Sequence, residues 1–261
     1  MFLITRSSRT RALSMLCAAS IVSCKSSTSP GGNSCNVEIC ILFVGGSLEY
    51  WNDMPTMVET LGNANGRTRI RVGGSFLPGS TLGDHIDAGE AEKEIRTGNW
   101  NVVSLGQGPS SRSESRALLR QWVGQFAPVI KGAGATPALY MTWPTVANVA
   151  DFPGASTSYR LAASDVGGIL FPVADAWTAA WAMDNTIELY GPDGWHPSVE
   201  GSYLAALVIY AALFKTSAVG LPSEFAMSNG LTVSIPAERA AILQLAADQA
   251  VSRGANPALR R

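Results

Sequence analysis

Histidine is almost absent from this chain, with two in 261 residues, His85 and His196. Any step that needs an imidazole must use one of them. Charge is scarce and balanced, 19 Lys and Arg against 20 Asp and Glu. The basic surplus that nucleic-acid binding draws on is therefore missing, and no nucleic-acid partner is expected. Cysteine is sparse as well, and the four present have no metal-ligand spacing. No apolar run reaches the roughly 20 residues needed to span a bilayer, which excludes a permanent transmembrane helix. The 26 Gly and 14 Pro fall short of a low-complexity excess, while 46% hydrophobic residues are too many for a disordered chain. There is no internal repeat and no linker long enough to separate a pair of domains, so one α/β domain is expected.

Acidic residues are missing before Glu38, and Arg6, Arg9 and Arg11 precede the apolar run Ala12 to Val22. That is the layout of a signal peptide. The run ends at Ile21-Val22-Ser23-Cys24, which resembles the bacterial lipobox, where the Cys thiol is lipidated and becomes the mature N-terminus. A polar stretch, Lys25 to Ser34, follows as a tether would. The expected organisation is a signal in residues 1–24, a tether in 25–39 and a single domain in 40–261, with its core in 40–214 and an extension in 215–261. The expected location is the cell envelope, through a lipid on Cys24 as the sole membrane contact, or otherwise secretion. The intact mass of the mature protein, carrying diacylglycerol on Cys24, checks this. Cys17 would leave with the signal. Cys35 and Cys40 then remain in an oxidising compartment, where they form a bridge or Cys40 packs as a small hydrophobe.

From Cys40 onward short apolar runs alternate with helix-like segments at roughly thirty-residue intervals, the signature of βαβ units on a parallel sheet. The predicted strands are Cys40 to Val44, Arg69 to Val72, Asn101 to Leu105, Ala135 to Met141 and Gly168 to Phe171. Helices are predicted over Met54 to Ala64, His85 to Arg96, Ser113 to Lys131, Ser156 to Val166, Val173 to Met183 and Ser198 to Phe214. A more weakly tied amphipathic helix is predicted over Glu238 to Arg253. Ligands of such sheets bind beyond the carboxyl ends of the strands, and the motifs lie there.

The first strand runs into Gly45-Gly46-Ser47-Leu48, a tight turn from which the Ser47 hydroxyl can project. Near the other end stands Asp193-Gly194-Trp195-His196-Pro197. At that spacing Asp193 can hold one ring nitrogen of His196 while the other faces a hydroxyl, which is the logic of a catalytic triad. His85 directly follows Asp84, and adjacent side chains diverge, so His196 is the expected base.

ILFVGGSLEYW and DGWHPSVEGSYLAALVIYAAL resemble the first and last blocks of the SGNH or GDSL hydrolases, and the likeness runs over roughly Cys40 to Phe214. The resemblance implies Ser47 as nucleophile with Asp193 and His196 as partners. PGSTLGDH resembles the second block and implies Gly79 as an oxyanion donor beside the Ser47 backbone; SLGQGPSS resembles the third. The implied fold is a flavodoxin-like three-layer α/β/α sandwich around a five-stranded parallel sheet. Two departures stand out. Gly46 replaces the family's Asp, and Gln107 stands where the third block carries Asn, keeping an amide donor one methylene further out.

The reaction implied is hydrolysis of an ester, on small acyl groups such as acetyl on a glycan, without a metal or organic cofactor. Two other readings use the same residues: an envelope lipoprotein that only binds a glycan or acyl group, and transfer of the acyl group to an acceptor hydroxyl. Trp51, Trp143, Tyr159 and Trp195 fall in or near loops after strands or beside His196, where aromatic walls suit a sugar face or an acyl chain. The oligomeric state is not legible.

Overall fold

Five short segments rich in β-branched and aromatic residues form one parallel sheet. They are β1 (Ile39–Gly45), β2 (Ile70–Phe76), β3 (Val102–Leu105), β4 (Thr136–Tyr140) and β5 (Ile169–Phe171), in the order β2-β1-β3-β4-β5. The computed structural model describes residues 39–64 and 69–254. The expected signal segment, Cys24 and Cys35 lie outside the described residues. Cys40 is buried and disulfide-bonded.

The helices form two layers. On one side α2 (Met54–Asn63), α7 (Val173–Met183), α8 (Val199–Phe214) and α9 (Ala237–Gly254) pack together. On the other lie α3 (Leu82–Ala88), α4 (Glu90–Thr97), α5 (Ser113–Gly132) and α6 (Phe152–Val166). With helices on both faces, β1 is buried from Cys40 to Gly45 and reads as a continuous apolar run rather than an alternating one. In α8, Gly201 to Ala211 are all buried, so it has no polar face; it starts where the Ser198 hydroxyl accepts the Gly201 N–H at 3.1 Å.

The differences from expectation have local causes. The predicted helix His85 to Arg96 is two helices, because Gly89 between them takes a left-handed φ of 75°. Strand β2 runs on to Phe76 through Gly73 and Gly74, which carry no apolar signal. The Trp100 ring lies over Gly73, where a Cβ would come within 2.4 Å of it. Helix α6 starts at Phe152 with Pro153 in its first turn, four residues ahead of the expected Ser156. The tail helix is not weakly tied: Leu243, Ala246 and Ala247 of α9 are fully buried against α7 and α8. A two-stranded hairpin, β6 (Glu224–Ala226) and β7 (Thr232–Ser234), has strands too short to show a period.

The sheet order sets the position of the site. The chain steps from β1 to β2 on one side and then crosses back to β3 on the other. The connections leaving β1 and β3 therefore diverge and leave a crevice above their carboxyl ends. Ser47 follows β1 there, and Gln107 follows β3.

Candidate active site

Ser47 is the first residue of α1 (Ser47–Tyr50), placed by the turn at Gly45-Gly46 directly above the end of β1. His196 reaches it from 149 positions downstream, with Nε2 at 2.8 Å from Ser47 Oγ. Its Nδ1 lies 2.5 Å from Asp193 Oδ2. A carboxylate only accepts, so the proton between them sits on Nδ1, which leaves Nε2 to accept from the Ser47 hydroxyl. The loop carrying both residues is closed on itself. Gly194 takes a left-handed φ of 65°, Gly191 N–H donates to His196 C=O at 2.7 Å, and Tyr190 bridges to Pro197. The second Asp193 oxygen accepts the backbone N–H groups of Trp195 and His196 at 3.0 and 2.9 Å. Hydrogen bonds from the His196 ring first, and then from the Trp195 backbone, hold the Asp193 carboxyl down at about 2.

A second set of contacts ties the Ser47 segment to the His196 segment. The Trp51 ring stacks on the imidazole, with centroids 3.9 Å apart and planes at 15°. Asn52 and Asp53 follow in left-handed conformations, φ 54° and 52°, which these two residue types tolerate best after Gly. The Asn52 side-chain amide then meets Pro197 C=O and Ser198 C=O, each at 3.0 Å, and Ser202 Oγ at 2.9 Å. Sequence reasoning missed Asn52; its signal was the Asn-Asp pair just before Met54-Pro55, a turn immediately ahead of a helix.

His85 does not join Ser47. It is buried, and its Nε2 meets Gly45 C=O at 3.0 Å, so that nitrogen carries the proton. Burial pulls its titration below the ordinary histidine range. Glu49 was also missed. Its carboxyl is 1% exposed, Oε2 accepts the Gly46 N–H at 2.7 Å, and Oε1 has no hydrogen-bond partner among the described residues. Burial pushes it up to about 8.

A cavity of about 190 Å³ opens beside Ser47, bordered by Gly79, Gln107, Glu49 and Trp195. Gly79 has φ 73° with nothing within 4 Å of a notional Cβ, so it is glycine for its conformation. The Gln107 amide is fixed at both ends: Oε1 accepts Leu82 N–H at 3.0 Å, and Nε2 donates to Ser110 Oγ at 2.8 Å. Behind it the Tyr159 hydroxyl donates to Gln107 C=O at 2.9 Å, and Tyr159 is fully buried. Tyr159 thus braces the third loop and forms no wall.

Trp143 requires correction too. It is fully buried, stacks on Trp177 at 4.1 Å and donates its indole N–H to Trp195 C=O at 3.1 Å. It supports the histidine loop from within the core and has no face for a substrate. Trp51 and Trp195 do reach open space. Trp51 is 37% exposed and also edges a larger groove of about 910 Å³, with Val146, Trp181, Tyr190 and Pro192. Among the described residues no cluster of His, Cys, Asp and Glu could hold a metal ion, and no helix is long and apolar enough to cross a membrane.

A parallel α/β/α sandwich with Ser, His and Asp in hydrogen-bonded sequence at its switch point has the arrangement of a serine hydrolase. Solved structures match it. A Slackia heliotrinireducens protein assigned to the SGNH hydrolases is 28% identical, with a TM-score of 0.57 over 67% of this chain and 98% of that one. A DUF4886 family protein from Bacteroides uniformis gives a TM-score of 0.68 at 19% identity, covering 82% of this chain and 95% of that one. A lipase/acylhydrolase from Enterococcus faecalis gives 0.54 at 16% identity, covering 66% and 93%. The last two speak to the fold alone. No family profile matches the chain, and no curated protein does. Its fold and the first of these matches make the chain similar to the SGNH/GDSL hydrolases and support that assignment.

Proposed function

We propose that this protein is a serine ester hydrolase acting on short acyl esters. The observation that carries the reading is the unbroken line Asp193–His196–Ser47, with contacts of 2.5 and 2.8 Å. Ser47 Oγ attacks the ester carbonyl as His196 Nε2 takes its proton, and Asp193 stabilises the imidazolium formed. The negative oxygen is met by the backbone N–H groups of Ser47 and Gly79 and by the second Nε2 hydrogen of Gln107. His196 then returns the proton to the departing alcohol. Water, activated by the same nitrogen, releases the acid from Ser47.

The small size of the cavity favours a short acyl group. At about 190 Å³ it is below the range in which whole drug-sized ligands bind. Trp195 at its border and Trp51 on the imidazole provide flat aromatic surface for a sugar-borne alcohol. Nitrophenyl esters of graded chain length test this. Acetate is expected to turn over fastest, with a fall of about tenfold or more by the octanoate. A rate that is flat or rises with chain length overturns the short-acyl reading, and no hydrolysis at any length overturns the ester reading. Export with an anchor on Cys24 belongs to the same proposal and is supported by the order of charge, apolar run and lipobox-like residues in 1–34.

Gln107→Ala is expected to lower kcat by about 10²-fold with little change in KM, since a donor to the oxyanion acts chiefly in the transition state. Gln107→Asn, too short for the distances this loop sets, should impair turnover less than deletion does. Wild-type kcat in both variants would make Gln107 a brace only.

A further inference from the structure

The Gly45–Gly46 peptide unit, one before the unit that carries the Ser47 N–H, is held at both ends by buried ionisable side chains. Its carbonyl, on Gly45, accepts from His85 Nε2 and from Leu77 N–H, each at 3.0 Å. Its N–H, on Gly46, donates to Glu49 Oε2 at 2.7 Å. The unit is a rigid plane, so holding both ends sets its rotation and the direction from which the chain enters Ser47. Two glycines at the strand ends make room for the carboxyl. A Cβ on Gly45 would lie 2.5 Å from Glu49 Cδ, and one on Gly106 would lie 1.9 Å from Oε1. Gly46 is different: its nearest obstacle is Leu77 C=O at 3.4 Å, so the missing side chain there is not forced by space.

We propose that Glu49 is the positioning residue of the nucleophile turn, supplying from within α1 the polar support that Gly46 cannot and keeping the Ser47 N–H aimed into the cavity. The inference rests on the ester-hydrolase reading. Glu49 has no ion pair with Lys or Arg among the described residues. The ionisable groups around it are Tyr140 from β4 and Tyr159 from α6, both pushed up by burial, and His85 from α3, pulled down by burial. None of them brings a positive charge at neutral pH. Burial holds the Glu49 proton until about pH 8. Above that the acid becomes an anion bordering the cavity in which the substrate oxyanion develops, and like charges there oppose each other.

The test is a pH profile of nitrophenyl acetate hydrolysis by wild type, Glu49→Ala and Glu49→Gln, with folding followed by thermal melting. Wild-type kcat is expected to fall about tenfold from pH 7 to 9.5, as a buried like charge would impose. Glu49→Ala should lose about 10²-fold in kcat at pH 7 with KM little changed, as misplacement of a nucleophile does. Glu49→Gln, which keeps the acceptor for Gly46 and cannot ionise, should restore most of that loss and remove the alkaline fall. If Glu49→Ala does not fold, the Glu49→Gln profile decides. An alkaline fall unchanged in Glu49→Gln, or wild-type kcat in a folded Glu49→Ala, overturns the inference while leaving the ester reading intact. A wild type that hydrolyses no ester overturns both.

Discussion

Ser47→Ala is expected to lose esterase turnover by about 10⁴-fold or more while melting at the wild-type temperature, since the hydroxyl is the sole group in the site positioned to form an acyl-enzyme. Its Oγ is 2.8 Å from the only imidazole nitrogen of the site free to accept a proton. The hydroxyl makes no other hydrogen bond that folding would miss among the described residues. A serine-reactive organophosphate should label wild type at Ser47, and peptide mass mapping locates the adduct. Labelling that persists in Ser47→Ala, or a variant that keeps full activity, removes Ser47 from the role of nucleophile.

His196→Ala is expected to be comparably inactive, about 10⁴-fold down, because it removes the base and leaves Asp193 with no imidazole to orient. Asp193→Asn should be milder. The carboxylate is half exposed, at 50%, so solvent screens its effect on the imidazolium. The pH dependence follows from the same pair. Asp193 stays ionised down to about pH 2, so its own protonation contributes to acid inactivation only at that extreme. Titrating kcat/KM on the acid side checks this, since Asp193→Asn should leave an acid limb in place. His85→Ala should keep at least about tenfold more activity than His196→Ala, because His85 touches the Gly45 carbonyl and not the hydroxyl. Equal losses in two folded variants would reverse the assignment.

The strands were legible because a sheet covered on both faces demands unbroken apolar runs, and Cys40 to Val44 and Ala138 to Met141 are such runs. The break at Gly89 was not, since Gly within a helical period is also tolerated without a break. The hairpin of β6 and β7 and the packing of α9 escaped for another reason: three-residue strands show no period, and an alanine-rich face looks weakly apolar until helices approach it closely. Trp143 and Tyr159 were misjudged because neither a loop position after a strand, as for Trp143, nor a place in the helix that follows, as for Tyr159, says which way a large ring turns. Both turn inward, where their polar tips hold Trp195 C=O and the Gln107 backbone.

Local order along the chain was enough to establish the parallel α/β class, the Gly-Gly-Ser turn after the first strand and the Asp-x-x-His near the end, because strand burial, turn chemistry and the three-residue spacing of Asp193 and His196 are short-range properties. It could not reveal that Asn52 and Trp51 bind the histidine loop, nor that Glu49 and His85 close on one peptide unit from two helices. Those relations join residues 40 to 150 positions apart, or depend on whether two glycines at neighbouring strand ends leave space for a carboxyl. Only the tertiary structure, which sets β1 beside β3 in the sheet, brings them together.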